Sequence, residues 1–367
     1  MAGVPSPGGM EGGALSLANL DDVSSFARVD PDDFLGVVER FPHQLLEAWQ
    51  IGLDAGGLPD VAGIDSIAVL GMGGSGISGD VASAVLGPVT RLIIGSVKGY
   101  AVPGWVGPGT LLFAVSYSGD TEETLAAFDA ALERGARVVI VASGGELAER
   151  GRSGGVPVIG VPGGLQPRAA IGYLAMPILA VCARLGLVPP LADEIAEAAA
   201  LAEARARECG RASPVGRNPA KALALRLARS LPVVYGSEGV AAVAAYRWKC
   251  QLNEVAKVPA TTGIYPEVNH NEVVGWGGRA DIARKCALVV LRHPGEHPRV
   301  ARRIEVTRSL LGGNFGVVEE VATQASSRLA RLLDLAYIGD FTSTYLALAT
   351  GIDPTPVEII DRLKRSL

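Results

Sequence analysis

Residues 68–80 read Ala-Val-Leu-Gly-Met-Gly-Gly-Ser-Gly-Ile-Ser-Gly-Asp, an apolar run that breaks into glycines, with Gly71, Gly73 and Gly76 in G-x-G-x-x-G spacing. Such a string marks a buried strand handing over to a helix, where backbone N–H groups cradle a phosphate. A dinucleotide-binding unit would add Asp or Glu at the end of the following strand, about 20 residues on, to hold the ribose hydroxyls. That position here reads "LIIGSVKG", with Gly95, Ser96 and Lys98 and no acid. The turn therefore reads as a phosphate site without a dinucleotide.

Working outward, "SIAVLG" (66–71), "RLIIGS", "TLLFAVSYSG" (110–119), "ARVVIVAS" and "VPVIGVP" are short apolar runs separated by helical patterns. Strands alternating with helices give a parallel sheet. A helical periodicity over 31–58 precedes them, and an alanine- and glutamate-rich helix (191–210) follows as a connector. The pattern then restarts. "LPVVYGSEG" parallels "IAVLGMGGSG", "CALVVLRHP" and "FGVVEEV" add strands, and helices are expected at 297–311 and 326–348. The expectation is an α/β protein of two parallel-sheet units, each with its own core. A flexible tail covers 1–30, the first unit 31–190, the connector 191–212, the second unit 213–350 and a tail helix 351–367.

Composition agrees: 49% hydrophobic and 19% charged residues with 47 glycines suit buried parallel strands and tight turns. A net charge of −5, with basic residues scattered, gives no reason to expect nucleic acid. Cys182, Cys209, Cys250 and Cys286 lie far apart without ligand spacing, which reads as reduced thiols in a cytoplasmic protein, with no metal. The start lacks the charged and apolar regions of a signal peptide. The apolar stretch 169–188 contains Pro177 and is bracketed by Arg168 and Arg184. The uncharged run is shorter than the ~20 residues of a membrane span, so it reads as a buried core helix.

The third strand ends in Ser116-Tyr-Ser-Gly-Asp-Thr-Glu-Glu-Thr124. Ser116, Ser118 and Thr121 stand beside the free N–H groups of a helix start, and Gly74-Ser75 offers a second hydroxyl at the first turn. Helix capping by Ser118 or Thr121 would explain one hydroxyl. Three at this spacing favour a neutral cradle for a phosphate monoester. Further along, Glu254 and Lys257 fit either a general base or a helical salt bridge. His270 is flanked by polar residues in "YPEVNHNE", unlike His43, His293 and His297, which lie beside prolines.

The strings "GMGGSGISGD", "SYSGDTEETL", "PRAAIGY", "YRWKCQLNEVAKVPA" and "EVNHNEVVG" occur in the order and spacing of the bifunctional phosphoglucose/phosphomannose isomerases, which are built from sugar isomerase domains. The resemblance runs from about residue 35 to the end. It implies two sugar isomerase domains with the C-terminal helix folding back on the site. It also implies aldose–ketose isomerisation of hexose 6-phosphates through a cis-enediol, without cofactor or metal. By that resemblance Glu254 is the proton-transfer base, His270 opens the sugar ring from a partner subunit in a homodimer, and Arg168 stabilises the enediolate. Lys364 resembles the family's lysine over the ring oxygen, and Thr355 the threonine that gives the sugar room to turn. The phosphate falls to Gly74, Ser75, Ser116, Ser118 and Thr121. Departures are Val255, where the family often has a polar residue, and Glu238 in the second glycine turn. The alternatives are a non-catalytic phosphosugar-binding protein and an isomerase for a different sugar phosphate.

Overall fold

The computed structural model describes residues 16–366. Its strands are β1 (Ser66–Leu70), β2 (Ile93–Val97), β3 (Thr110–Val115), β4 (Arg137–Ala142), β5 (Val158–Gly160), β6 (Leu231–Ser237), β7 (Thr261–Tyr265), β8 (Cys286–Arg292) and β9 (Val317–Ala322). The helices before β6 are α1 (Phe26–Val29), α2 (Phe34–Glu39), α3 (Phe41–Leu53), α4 (Gly73–Leu86), α5 (Glu122–Glu133), α6 (Gly145–Ser153), α7 (Ile171–Arg184), α8 (Ala192–Cys209) and α9 (Pro219–Leu227). After it come α10 (Val240–Glu254), α11 (Glu272–Gly278), α12 (Ala280–Ala283), α13 (Pro298–Leu311), α14 (Arg328–Thr350) and α15 (Glu358–Lys364).

The strands form two parallel sheets, one five-stranded in the order β2-β1-β3-β4-β5 and one four-stranded in the order β7-β6-β8-β9. The second order is the first with β5 left out, so the two glycine turns after β1 and β6 occupy equivalent places. In each sheet the strand order reverses beside the first strand, and a crevice opens there at the carboxyl ends. Ligands of open α/β sheets bind in that crevice. In the first sheet its walls are the turns after β1 and β3.

The two units do not have wholly separate cores. Ile67 and Val69 of the first sheet belong to the same buried cluster as Val234 and Val289 of the second, joined through α7, α10 and α14. Helix α14 is buried from Leu332 to Ala349, so it has no polar face to offer solvent. The apolar stretch expected to be a core helix is α7, buried from Ile171 to Cys182. Among the described residues no helix is long and apolar enough to cross a membrane.

Two expectations change. The expected tail 1–30 packs where it is described: Leu20 and Phe26 are buried in the shared core, and the Ala18 N–H donates to the Ala349 carbonyl at 2.8 Å. Residues 1–15 of that tail, and Leu367, lie outside the described residues. The apolar spacing of "ISGDVASAVLG" (77–87) predicts a helix from Ile77, but α4 begins at Gly73, inside the glycine turn, so the turn's own N–H groups are the helix start.

Candidate functional site

The turns after β1 and β3 are tied together where the sheet order reverses. The Tyr117 N–H donates to Ser75 Oγ at 3.1 Å, and Ser116 Oγ accepts from the Gly119 N–H at 3.1 Å and lies 3.0 Å from Thr121 Oγ1. Thr121 stands at the N-cap of α5 yet makes no capping hydrogen bond, and Met72 before α4 makes none either. These contacts shape the crevice, where two helix N-termini stand with first-turn N–H groups uncapped by side chains. Ser75 and Ser116 are buried, while Ser118 is exposed at the rim and accepts from the Asp120 N–H at 3.3 Å.

Gly74 explains why the turn is glycine-rich. A Cβ there would lie 2.5 Å from the Pro167 carbonyl oxygen and 2.9 Å from the Arg168 nitrogen. The close approach seats the 3-10 turn Pro167–Ala169 against the start of α4. Lys98, whose place could have matched a 2′-phosphate contact, instead pairs with Asp80 at 2.5 Å.

Arg168 is buried and does not bind a surface acid. Its guanidinium donates to the carbonyl oxygens of Pro354, at 3.0 Å, and Thr355. Burial lowers it from the usual arginine value, and the Glu254 carboxylate acts against that shift. Nε of Arg168 and Oγ1 of Thr355 are both buried without a hydrogen-bond partner among the described residues. Unmade bonds of that kind are costly in a low-dielectric interior, and a polar ligand would satisfy them.

Glu254 is the last residue of α10. The helical salt bridge to Lys257 is not formed: the chain leaves the helix, Lys257 takes φ 57°, and its ammonium donates to the Glu254 carbonyl at 2.6 Å and the Pro354 carbonyl at 3.3 Å. Burial lowers the Lys257 ammonium, with the Arg168 charge adding to the shift. Arg168 and Lys257 thereby hold the 351–357 strap through the same Pro354 carbonyl, and the Glu254 carboxylate is left unbonded among the described residues. Glu254, Lys257, Val357 and Glu358 line one hollow of about 550 Å³. Lys364 lies in the last turn of α15, exposed, and its side chain bonds to nothing among the described residues.

His270 is not brought to this site. It ends a 3-10 turn, Glu267–His270, whose Val268 packs with Val233 and Tyr235 on one face of the second sheet. Helix α10 packs with Val234 on the other face, since alternate strand residues point to opposite sides. The second sheet therefore stands between His270 and Glu254 of the same chain.

Sequence reasoning passed over the support beneath the site. Arg247 donates to Asp340 at 2.8 Å and to the Arg168 carbonyl at 3.0 Å, Gln251 donates to Asp340 at 3.0 Å, and Gln44 donates to the Ala169 carbonyl at 2.9 Å. Arg247 and Asp340 are both buried. A signal was present: each is a charge inside an apolar helical stretch, and such charges are buried only in pairs.

Comparison with known proteins follows the same outline. Residues 216–367 match the bacterial phospho-glucose isomerase C-terminal SIS domain. A bifunctional phosphoglucose/phosphomannose isomerase of Caldicellulosiruptor bescii is 37% identical over 330 residues, 90% of this chain and 97% of that one. One of Thermoplasma acidophilum is 37% identical over 302 residues, 82% of this chain and 89% of its own. In three dimensions, a glucose-6-phosphate isomerase like protein from Thermus thermophilus superposes with a TM-score of 0.63 at 22% identity, covering 92% of this chain and 98% of that one. At that identity the superposition speaks for the fold.

Proposed function

The chain belongs to the bifunctional phosphoglucose/phosphomannose isomerases, and from that premise we propose that it interconverts glucose 6-phosphate and mannose 6-phosphate with fructose 6-phosphate by an intramolecular proton transfer. What supports the assignment of residues is the surroundings of the Pro167–Ala169 turn: Gly74 at the start of α4 backs directly on it, the Arg168 it carries is buried with an unmade bond, and the charge of the Glu254 carboxylate bears on that arginine.

In this reading Gly74, Ser75, Ser116, Ser118 and Thr121 hold the phosphate with neutral donors, and Glu254 removes the C2 proton of the opened aldose. The electron pair left on carbon moves into a cis-enediolate whose negative O1 lies against Arg168; the O2 hydroxyl proton passes to O1, and the proton held by Glu254 returns to C1 as the C2–O2 double bond forms, giving the ketose. Return to either face of C2 from the ketose side separates glucose from mannose, and Thr355 stands on the strap where the sugar turns. Lys364 approaches the ring oxygen when the tail helix closes. His270 opens the ring from a second subunit, which makes the working form a homodimer in the cytoplasm.

The test is to incubate the protein with fructose 6-phosphate and EDTA and to follow both aldose phosphates, with Glu254→Gln alongside. Formation of both products, and their loss by several orders of magnitude in the variant, is the expected result. No product from the wild type sinks the isomerase reading for this substrate. Full activity in the variant sinks Glu254 as the base.

A further inference from the structure

Two α-helices of the second half bury nothing. Neither α11 nor α15 has a single buried residue among the described ones, whereas every other α-helix has at least one. Each is seven residues long, too short to hold together in water on propensity alone. Large apolar side chains stand exposed on and beside them: Val274 on α11, Leu310 on the neighbouring α13 and Ile359 on α15 are each 74% exposed, and Leu363 on α15 is 61% exposed. Scattered single apolar residues need no explanation, but two clustered patches on otherwise unsupported helices do.

The patches have complementary form. Val274, Val306 and Leu310 line a groove of about 550 Å³ between α11 and α13, rimmed by Arg299 and Arg303, neither of which has an acidic partner among the described residues. Helix α15 is a ridge: Ile359 and Leu363 lie four residues apart on one face, flanked by Glu358 and Asp361, whose carboxylates are likewise unpaired among the described residues. Within one chain the two cannot meet. The groove lies with His270 on the outer face of the second sheet, and α15 lies with Glu254 beyond the other face.

We propose that the groove between α11 and α13 receives helix α15 of a second copy of this chain, apolar ridge into apolar groove with Glu358 and Asp361 against Arg299 and Arg303. The contact rests on the homodimer reading above and deepens it. Asn269 lines the groove next to His270, and Glu254 lines the hollow beside α15. Docking one on the other delivers His270 of one copy to the Glu254 site of its mate and seats the helix that bears Lys364. In a two-fold dimer the contact occurs twice, each groove taking the other chain's helix.

The symmetry supplies the test. Leu310→Glu puts a charge in the groove and Leu363→Glu puts one on the ridge, both at exposed positions of the single chain, so each variant should fold with an unchanged circular dichroism spectrum. Each alone breaks both contacts of the dimer, and its dissociation constant, measured by light scattering over a dilution series, should rise ~100-fold or more. Mixing the two variants leaves one wild-type groove facing one wild-type helix in every heterodimer. Dimer should reappear in the mixture, with isomerase activity recovering toward about half of wild type, since the dimers that form are mixed and each has one of its two sites complete. Dimers unaffected by either charge, or variants that stay monomeric when mixed, would overturn the docking. A wild type that is monomeric yet active would also overturn it, while leaving the isomerase reading intact. A dimeric wild type that makes no aldose phosphate would do the reverse.

Discussion

Gly74→Ala isolates what the glycine turn is for. The added methyl would lie 2.5 Å from the Pro167 carbonyl oxygen, 2.7 Å from its carbon and 2.9 Å from the Arg168 nitrogen, all backbone atoms. Relief to an ordinary contact of ~3.4 Å needs the Pro167–Ala169 turn or the start of α4 to retreat by roughly 0.9 Å. The turn has little freedom to do so, because Gln44 and Arg247 hold the carbonyls of Ala169 and Arg168 from behind. Overpacking of this kind costs about 1–3 kcal/mol, a loss the fold survives. A displacement near 1 Å at a group that must meet a reacting atom costs about 100-fold in rate. The expected result is therefore a folded protein whose melting temperature falls by a few degrees and whose kcat/KM for fructose 6-phosphate falls about 100-fold. Gly73→Ala is the control. Its methyl meets no atom within 4 Å, and only the φ of 51° is unfavourable, at about 1 kcal/mol. Wild-type kcat/KM in Gly74→Ala, or an equal loss in both variants, would refute the argument that Gly74 seats Arg168.

Ser116→Ala removes the hydroxyl that bridges Thr121 and the Gly119 N–H, at about 1 kcal/mol of cradle order. KM for fructose 6-phosphate should rise about 5-fold or more with kcat nearly kept, and inorganic phosphate should protect the variant less than wild type in thermal melts; an unchanged KM counts against the cradle. Arg247→Met strips the partner from a buried carboxylate and should cost about 3–5 kcal/mol in urea unfolding at neutral pH. Burial already holds Asp340 above the usual carboxylate value against the pull of Arg247, and the variant raises it further. The folded variant then binds a proton that the unfolded chain releases at a lower pH, so its relative stability is greatest in acid and lost as pH rises through the folded-state value. The deficit against wild type should narrow as the pH is lowered, and a deficit independent of pH would mean that Asp340 is not the group left exposed to the change.

Strands were legible because parallel sheets buried on both faces leave unbroken apolar runs, as in "SIAVL" and "TLLFAV". The repeat of strand order was foreshadowed by the two glycine turns. Less legible was everything that depends on distance across the fold. Nothing local to Gly74 says that Pro167 will press against it, and nothing local to Arg168 says that its partners are backbone carbonyls nearly two hundred residues away. Residues 16–30 look like a loose tail because their apolar residues, Leu17, Leu20, Val23, Phe26 and Val29 among them, make no run long enough to mark a strand or an amphipathic helix. Leu20 and Phe26 are buried only because the shared core around α14 presents a surface for them.

The same distinction bears on Glu254 and His270. Sixteen residues apart in sequence, they look like neighbours in one site, yet β7 must cross between them to complete the second sheet. A parallel strand can be reached only by a crossover, so a helix end and the turn after the next strand lie at opposite ends of the unit and, here, on opposite faces. Any single chain of this topology that carries its base at the end of α10 and its ring-opening histidine after β7 has built two half-sites. The unsupported helices α11 and α15 lie beside those halves, and the one contact proposed above, with a second copy, would remove both the incompleteness and the exposed apolar surface.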